Sequence, residues 1–274
     1  MDKILTIIAI LIYRFNENLR KVIFKNLNII LGNNIDFKVK KKIALKFLIF
    51  QLYNIIEFFL MSLGLFKLFN ITVEGFENYK KEKDKGNNIS FISGHFGNWE
   101  LFGAWLSVKK FPLYSIILPP RNGILDKMLQ YVRGKYNIGT IIRTNSREIF
   151  RKVNDKEFVV AFLIDQDGES SGIWTNFFGK KVSFPSGAAS FAARKNNVFV
   201  PTIMERIGFL KHKVIFYPQI QIESENSIDR KKEFVQKTIE FYEKVIQEKP
   251  ENWLLFYNRW LYRRHYPICR KNAL

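Results

Sequence analysis

The chain is 274 residues long, enough for one large domain or for one domain with an added membrane element, and 47% of its residues are hydrophobic. Its single cysteine, Cys269, excludes an internal disulfide framework, and no Cys/His pattern typical of a structural metal site occurs in the sequence. The formal net charge of +19 favours anionic partners: acidic lipid headgroups, phosphorylated substrates, an acidic carrier protein or nucleic acid.

Two apolar segments near the N-terminus predict contact with a membrane. Ile4 to Tyr13 is shorter than the ~20 residues that a spanning helix needs, and no small-residue cleavage site of a secretory signal follows it. Ile43 to Phe69 is long enough to span, but Glu57 in its middle would be costly in hydrocarbon, and the lysines between Lys38 and Lys46 would attract anionic lipid. We therefore predict that residues 1–69 form a membrane-associating helical segment, attached mainly at the membrane surface.

From about residue 70, short apolar runs alternate with helical stretches. This pattern predicts an α/β domain over residues 70–274, with a mixed, mainly parallel central sheet flanked by helices. A strand or turn at 71–79 comes first, followed by a charged loop at 80–88. Further strands are predicted at 89–93, 113–118, 137–142, 158–164, 198–204 and 213–222. Helices are predicted at 99–109, 124–135, 146–154, 185–196 and 228–248.

The stretch SGHFGNWE, Ser93 to Glu100, lies between a predicted strand and a predicted helix that Asn98 would cap. His95 and Glu100 are five positions apart and would not share a face of one helix, so they can meet only if His95 lies in the loop. At the carboxyl end of a strand, His95 could act as a general base on a hydroxyl, with Glu100 fixing its tautomer. The alternative is a loop histidine followed by a favourable first-turn acid.

A covalent intermediate is not required by the sequence. No serine or cysteine lies in a nucleophile-elbow context, and Ser93 lacks the G-x-S-x-G frame. An acceptor hydroxyl that His95 deprotonates can attack an activated acyl group directly. The motif therefore favours acyl transfer to a hydroxyl without an acyl-enzyme.

The wording GHFGNWE resembles the H-x4-D/E motif of the bacterial lipid A biosynthesis family of late, or secondary, acyltransferases, of the lauroyl- and myristoyl-transferring type. Three further blocks resemble this family in the same order. At 118–138, a basic residue and Asn precede a helix ending in Arg; at 162–206, Asp-Gln follows an apolar strand and precedes a Phe-Phe-Gly turn; 251–264 resembles the C-terminal segment. In these blocks, the residues at the family's characteristic positions are Arg121, Asn122, Arg133, Asp165 and Gln166.

The resemblance implies a glycerolipid-acyltransferase-like fold and a reaction that needs no metal or organic cofactor. An acyl chain would move from acyl carrier protein, or from coenzyme A, to a hydroxyl of an anionic lipid A precursor at the cytoplasmic face of the inner membrane. His95 and Glu100 would be catalytic. The residues expected to bind substrate are Asn98, Arg121, Asn122, Arg133, Asp165 and Gln166.

The residues themselves leave alternatives open at these positions. Guanidinium groups suit a diphosphoryl headgroup, but Arg121 and Arg133 could also be ordinary surface arginines. Asp165 would lie with Gln166 in the same crevice as His95, or would be only a turn residue.

Two other functions also stay open on the sequence. One is an acyltransferase for another phospholipid or glycolipid. The other is a nucleic-acid-binding protein, suggested by the net charge of +19 and by the basic, aromatic C-terminal run from Arg259 to Lys271. That run would equally suit a headgroup-level membrane contact, and no known nucleic-acid-binding signature occurs in the chain, so no nucleic-acid partner is expected.

Overall fold

The structure, a computed structural model, describes residues 2–118, 122–194 and 197–260. Its internal contacts group the chain into two compact units. The first, which we call the sheet unit, consists of Tyr53–Leu163 and Phe191–Gln221. The rest of the described chain forms the second, which we call the helical unit. The predicted domain boundary between residues 69 and 70 stays a prediction.

The α-helices of the described chain are α1 (Asp2–Phe15), α2 (Glu17–Leu31), α3 (Phe37–Ser62), α4 (Phe76–Asp84), α5 (Trp99–Val108), α6 (Gly123–Lys135), α7 (Ser146–Val153), α8 (Ser186–Ala192) and α9 (Ser227–Glu248). Helices α5, α6, α7 and α9 begin and end within one residue of their predicted bounds. Each of these four follows an asparagine whose side chain caps its first turn. This local signal explains why their starts could be predicted.

The strands are β1 (Asn70–Glu74), β2 (Asn88–Ser93), β3 (Leu113–Ile117), β4 (Gly139–Ile142), β5 (Val159–Leu163), β6 (Ile173–Phe177), β7 (Lys180–Phe184), β8 (Asn197–Gly208) and β9 (Lys211–Phe216). Seven of them form one sheet in the order β1-β9-β8-β2-β5-β3-β4, and β6 and β7 form an antiparallel hairpin. Neighbours in the large sheet run parallel, except for the antiparallel pair β8 and β9. This confirms the predicted α/β class with a mainly parallel sheet flanked by helices.

The charged loop predicted at 80–88 is wrong in its first half, because helix α4 continues to Asp84. Two aromatic residues on this helix, Phe76 and Tyr79, are three positions apart and both pack against Phe216 on β9. These two aromatic side chains make apolar contacts between α4 and the sheet, and the lysines and glutamates around them obscure the helical pattern in the sequence.

Strand β2 lies near the middle of the sheet, between β5 and β8, and every one of its residues is buried. A strand covered on both faces has this composition. β2 and β5 run parallel and end at the same edge, where Ser93 is paired with Leu163. In open α/β sheets this carboxyl edge is where ligands bind, and the chain leaves β2 there to enter the SGHFGNWE loop.

The N-terminal segment is helical, as predicted, but its elements differ from the predicted ones. The second apolar segment begins earlier, and the lysines between Lys38 and Lys46 lie inside α3 rather than before it. Within the described residues, α3 is the one helix long and apolar enough to cross a membrane, by length and composition. A third of its most apolar window is buried inside the structure, and a core helix of a soluble protein meets the same criterion.

Candidate functional site

The loop at residues 94–98, which we call the motif loop, joins β2 to α5 within the sheet unit. Asn98 caps α5 as predicted, because its Oδ1 accepts a hydrogen bond from Leu101 N at 3.0 Å. Gly97 has a φ of +54°, and a Cβ at this position would lie 2.3 Å from the Met204 carbonyl oxygen on β8. The bend that brings the chain from strand to helix therefore requires glycine at residue 97.

His95 lies in the motif loop at the carboxyl end of β2, where the sequence predicted it. The side chain is half-buried. Its ring meets the edge of Trp99 in the first turn of α5, with ring centroids 5.0 Å apart and an interplanar angle of 67°. The indole therefore supports the imidazole from one side.

Glu100, in the first turn of α5, forms a two-pronged ion pair with Arg133 in the last turn of α6. Arg133 Nη2 donates to Glu100 Oε1 at 2.6 Å and Arg133 Nε donates to Oε2 at 3.1 Å. The two side chains are only 13% and 17% exposed. A bidentate pair of this kind fixes the orientation of the carboxylate, so Arg133 and Glu100 act as one group. The predicted contact of Glu100 with His95 stays a prediction.

A buried polar cluster lies beneath the motif loop, and we call it the Glu57 cluster (Asn54, Glu57, Asn98, Arg206, His212). Glu57 on α3 is fully buried and its carboxylate accepts two hydrogen bonds of 2.5 Å from Arg206. It also accepts from Asn98 Nδ2 at 2.8 Å and from Leu210 N at 3.0 Å. The Asn98 amide is thus occupied at both ends, which favours a supporting role for Asn98 over direct contact with a substrate.

His212 on β9 completes the cluster, with Nε2 3.2 and 3.3 Å from the two carboxylate oxygens of Glu57. Burial would raise the pKa of Glu57, but the hydrogen bonds from Arg206 and His212 and the charge of Arg206 lower it to about 2. Burial lowers the pKa of His212, although the hydrogen bond to Glu57 opposes this shift. At neutral pH the cluster therefore holds one carboxylate, one guanidinium and a neutral imidazole that donates from Nε2.

The remaining predicted site residues are spread over both units. Asn122 caps α6, since its Oδ1 accepts from Ile124 N at 3.0 Å and Leu125 N at 3.1 Å, and its side chain is exposed. Arg121 lies outside the described residues. Asp165 and Gln166 follow β5 and belong to the helical unit. Their predicted place in one crevice with His95 stays a prediction.

Asp165 is buried among aromatic residues of the helical unit. Its Oδ2 accepts a hydrogen bond from Trp253 Nε1 at 2.9 Å, and together with burial it raises the pKa of Tyr242. Arg259 Nε donates to the backbone carbonyl of Asp165, also at 2.9 Å. Arg259 and Trp260 are buried, so the headgroup-level contact predicted for the C-terminal run is wrong for these two residues. The rest of that run lies outside the described residues.

Among the residues that the structure describes, no group of three or more His, Cys, Asp or Glu side chains could hold a metal ion. The candidate functional features of the sheet unit are the half-buried imidazole of His95, the Glu100–Arg133 pair and the Glu57 cluster. The sequence predicted His95, Glu100, Asn98 and Arg133 as site residues, but it did not point to Arg206 and His212, which no local motif marks.

Comparison of the whole chain with models of protein families gives a match over residues 1–262 to the family described as bacterial lipid A biosynthesis acyltransferase. The matched range includes the motif loop, the α6 helix with Arg133, and every residue of the Glu57 cluster. No curated protein matches the chain.

Proposed function

The chain belongs to the bacterial lipid A biosynthesis acyltransferase family, and from this premise we propose that it transfers a fatty acyl chain from acyl carrier protein, or from acyl-coenzyme A, to a hydroxyl of a lipid A precursor. The observation that carries the proposal is the place of His95. It is a half-buried imidazole in a loop at the carboxyl edge of the sheet, directly before a capped helix start.

In the proposed mechanism, His95 is the general base. Its imidazole removes the proton from the acceptor hydroxyl while the hydroxyl oxygen attacks the thioester carbonyl carbon of the donor. The tetrahedral intermediate then collapses, the carbon–sulfur bond breaks, and the imidazolium returns its proton to the departing thiolate. The new ester and the free thiol leave, and the histidine is neutral again, so no acyl-enzyme forms.

Glu100 is proposed to stabilise the imidazolium and to orient the ring. Its fork with Arg133 supports this role, because a carboxylate that is held at both oxygens cannot rotate away during the reaction. Arg133 lies in the last turn of α6, and Asn122 precedes the same helix. Eleven residues of helix separate them by roughly 16 Å, so we propose that Asn122 and Arg121 contact a part of the acceptor distant from Arg133.

Attachment to the cytoplasmic face of the inner membrane is proposed for the N-terminal helices. Helix α1 exposes large apolar side chains, among them Ile4, Ile7, Leu11 and Phe15, the last of which is 75% exposed. An interfacial helix buries such a face in the boundary between headgroups and acyl chains. The lysines at the start of α3 would add attraction to anionic lipid.

The test is acyl transfer by the purified full-length chain, with an acyl carrier protein donor and a lipid A precursor, for the wild type and for His95→Ala. We expect the substitution to lower kcat by at least about 100-fold, since general-base catalysis contributes on the order of 10²–10⁴. Asn78→Ala serves as a control in the same unit, because the Asn78 side chain donates to the last carbonyl of β9, Phe216 O, and not to the motif loop. Turnover by His95→Ala near that of the control would refute the general-base role.

A further inference from the structure

The Glu57 cluster contacts the motif loop at two adjacent residues. The Glu57 carboxylate accepts a hydrogen bond directly from the side chain of Asn98. The same carboxylate pairs with Arg206, whose Nη2 also donates to Asn54 Oδ1. Asn54 Nδ2 in turn donates to the backbone carbonyl of Gly97 at 2.9 Å. Two side chains of α3, Glu57 and Asn54, therefore each bond directly to the motif loop, and Arg206 links these two side chains to each other.

A separate contact limits the movement of Gly97. The Cα of Gly97 lies so close to the carbonyl of Met204 on β8 that a Cβ would not fit there. Gly97 is thus fixed by Asn54 and by the β8 backbone. His95 lies two residues before Gly97, and Glu100 lies two residues after Asn98, so the cluster fixes the chain between the two residues to which we assign the chemistry.

Fold stability alone gives a weak reason for such a cluster. Desolvating a carboxylate and a guanidinium offsets much of their attraction, and apolar side chains of similar volume often stabilise a core equally well. Hydrogen bonds, however, are directional, and a carboxylate that accepts from Arg206, Asn98 and Leu210 has a single orientation. A general base that must meet its substrate hydroxyl within hydrogen-bond reach benefits from this rigidity, since a misplacement of about 1 Å can lower a rate by about 100-fold.

We propose that Glu57 and Asn54 are positioning residues for acyl transfer, acting through Asn98 and Gly97 to set the placement of His95 and Glu100. The proposal rests on the function proposed above. Neither side chain touches a reacting atom. Loosening the contact should therefore lower kcat and leave the KM values for donor and acceptor unchanged within about twofold, because substrate binding does not depend on it.

Asn54→Ala and Asn78→Ala form a matched pair for the test. Each removes a half-buried asparagine of the sheet unit that donates one 2.9 Å hydrogen bond to a backbone carbonyl, Gly97 O for Asn54 and Phe216 O for Asn78. We expect Asn54→Ala to lower the melting temperature more than Asn78→Ala, because it also removes the acceptor of Arg206 Nη2. Only Asn54→Ala should lower kcat, by about tenfold or more. Equal kcat values in the two variants, whether lowered or intact, would overturn the proposal.

Asn54→Asp isolates the contact with the loop. The aspartate keeps an acceptor for Arg206 but has no N–H to donate to Gly97 O, so the buried ion pair is preserved and the loop contact is lost. We expect its kcat to fall at least as far as in Asn54→Ala, because the carboxylate and the Gly97 carbonyl oxygen are both acceptors and repel each other. An Asn54→Asp enzyme with wild-type kcat would show that the Gly97 contact positions nothing.

A readout without substrate separates this proposal from the proposed function. The chain has three histidines, so the imidazole signals of ¹³C-labelled histidine are few, and His95→Ala identifies the signal of His95. We expect Asn54→Ala to shift or broaden that signal, whereas Asn78→Ala leaves it in place. If the wild type transfers no acyl group, the proposed function fails, and the His95 signal still decides the positioning role. An unchanged His95 signal in Asn54→Ala would refute it.

Discussion

Replacing Gly97 with alanine tests whether the geometry of the motif loop matters for activity. With a φ of +54°, any L-residue at this position takes on a left-handed conformation, which costs roughly 1–2 kcal/mol. The new Cβ would also lie 2.3 Å from the Met204 carbonyl oxygen, a backbone atom of a central strand that cannot rotate away. Restoring an ordinary contact of 3.4 Å requires the loop to move by about 1 Å.

Gly86→Ala is the matched control, because Gly86 precedes β2 as Gly97 follows it. Gly86 also has a positive φ, +72°, but a Cβ there meets only the end of the Lys156 side chain, at 4.0 Å. We expect Gly86→Ala to lower the free energy of unfolding by about 1 kcal/mol with an unchanged kcat. Gly97→Ala should lose at least about 3 kcal/mol and about 100-fold in kcat. Urea unfolding and acyl-transfer assays measure both, and a Gly97→Ala enzyme with the kcat of the control would refute the reasoning.

Two further predictions concern the ion pairs of the sheet unit. Arg133→Ala should lower kcat by about tenfold or more, because Glu100 loses both of its hydrogen bonds to the guanidinium. Arg133→Lys should recover only part of the lost activity, because an ammonium group cannot form the same two-pronged pair. Full recovery of kcat by Arg133→Lys in a steady-state assay would contradict this reason. The free energy of unfolding should fall as the pH drops below about 6.5, because His212 takes up a proton more readily in the unfolded chain than in the folded one. It should fall again between about 4.5 and 2, because Glu57 also takes up its proton more readily in the unfolded chain. His212→Asn should flatten the upper part of this profile in urea titrations, and an identical profile would exclude His212 as its source.

How much of the site could be predicted from the sequence depends on how far apart its members lie along the chain. The loop position of His95 follows from local signals: an apolar strand before it, and an asparagine that caps the helix after it. The pairing of Glu100 with Arg133 spans 33 positions and depends on how α6 packs, which no local pattern reveals. Arg259 was interpreted as a surface residue because it lies in a basic run, yet it is buried and donates to the backbone carbonyls of Asp165 and Ser183.

Glu57 shows how a correct signal led to an incomplete interpretation. Its charge inside an apolar segment was recognised as costly in hydrocarbon, and this argued for a helix at the membrane surface. The structure shows instead that the charge is paired inside the protein, with Arg206 149 positions and His212 155 positions away in sequence. An unexplained charge in an apolar run thus indicated a buried partner, but the identity of that partner required the three-dimensional structure.

The same pairing bears on how α3 can meet a membrane. A span needs about 20 apolar residues, and one that leaves out the lysines from Lys38 to Lys42 must use the remainder of α3, which contains Glu57. Glu57 is fully buried, and its hydrogen-bond partners Arg206, Leu210 and His212 belong to β8, β9 and the turn between them. Moving the part of α3 that carries Glu57 into lipid would break the Glu57–Arg206 ion pair and leave two buried charges unpaired, at a cost of about 3–5 kcal/mol or more. The part of α3 from Tyr53 onward therefore belongs to the sheet unit, and the proposed membrane attachment would involve α1 and the lysine-rich first turns of α3.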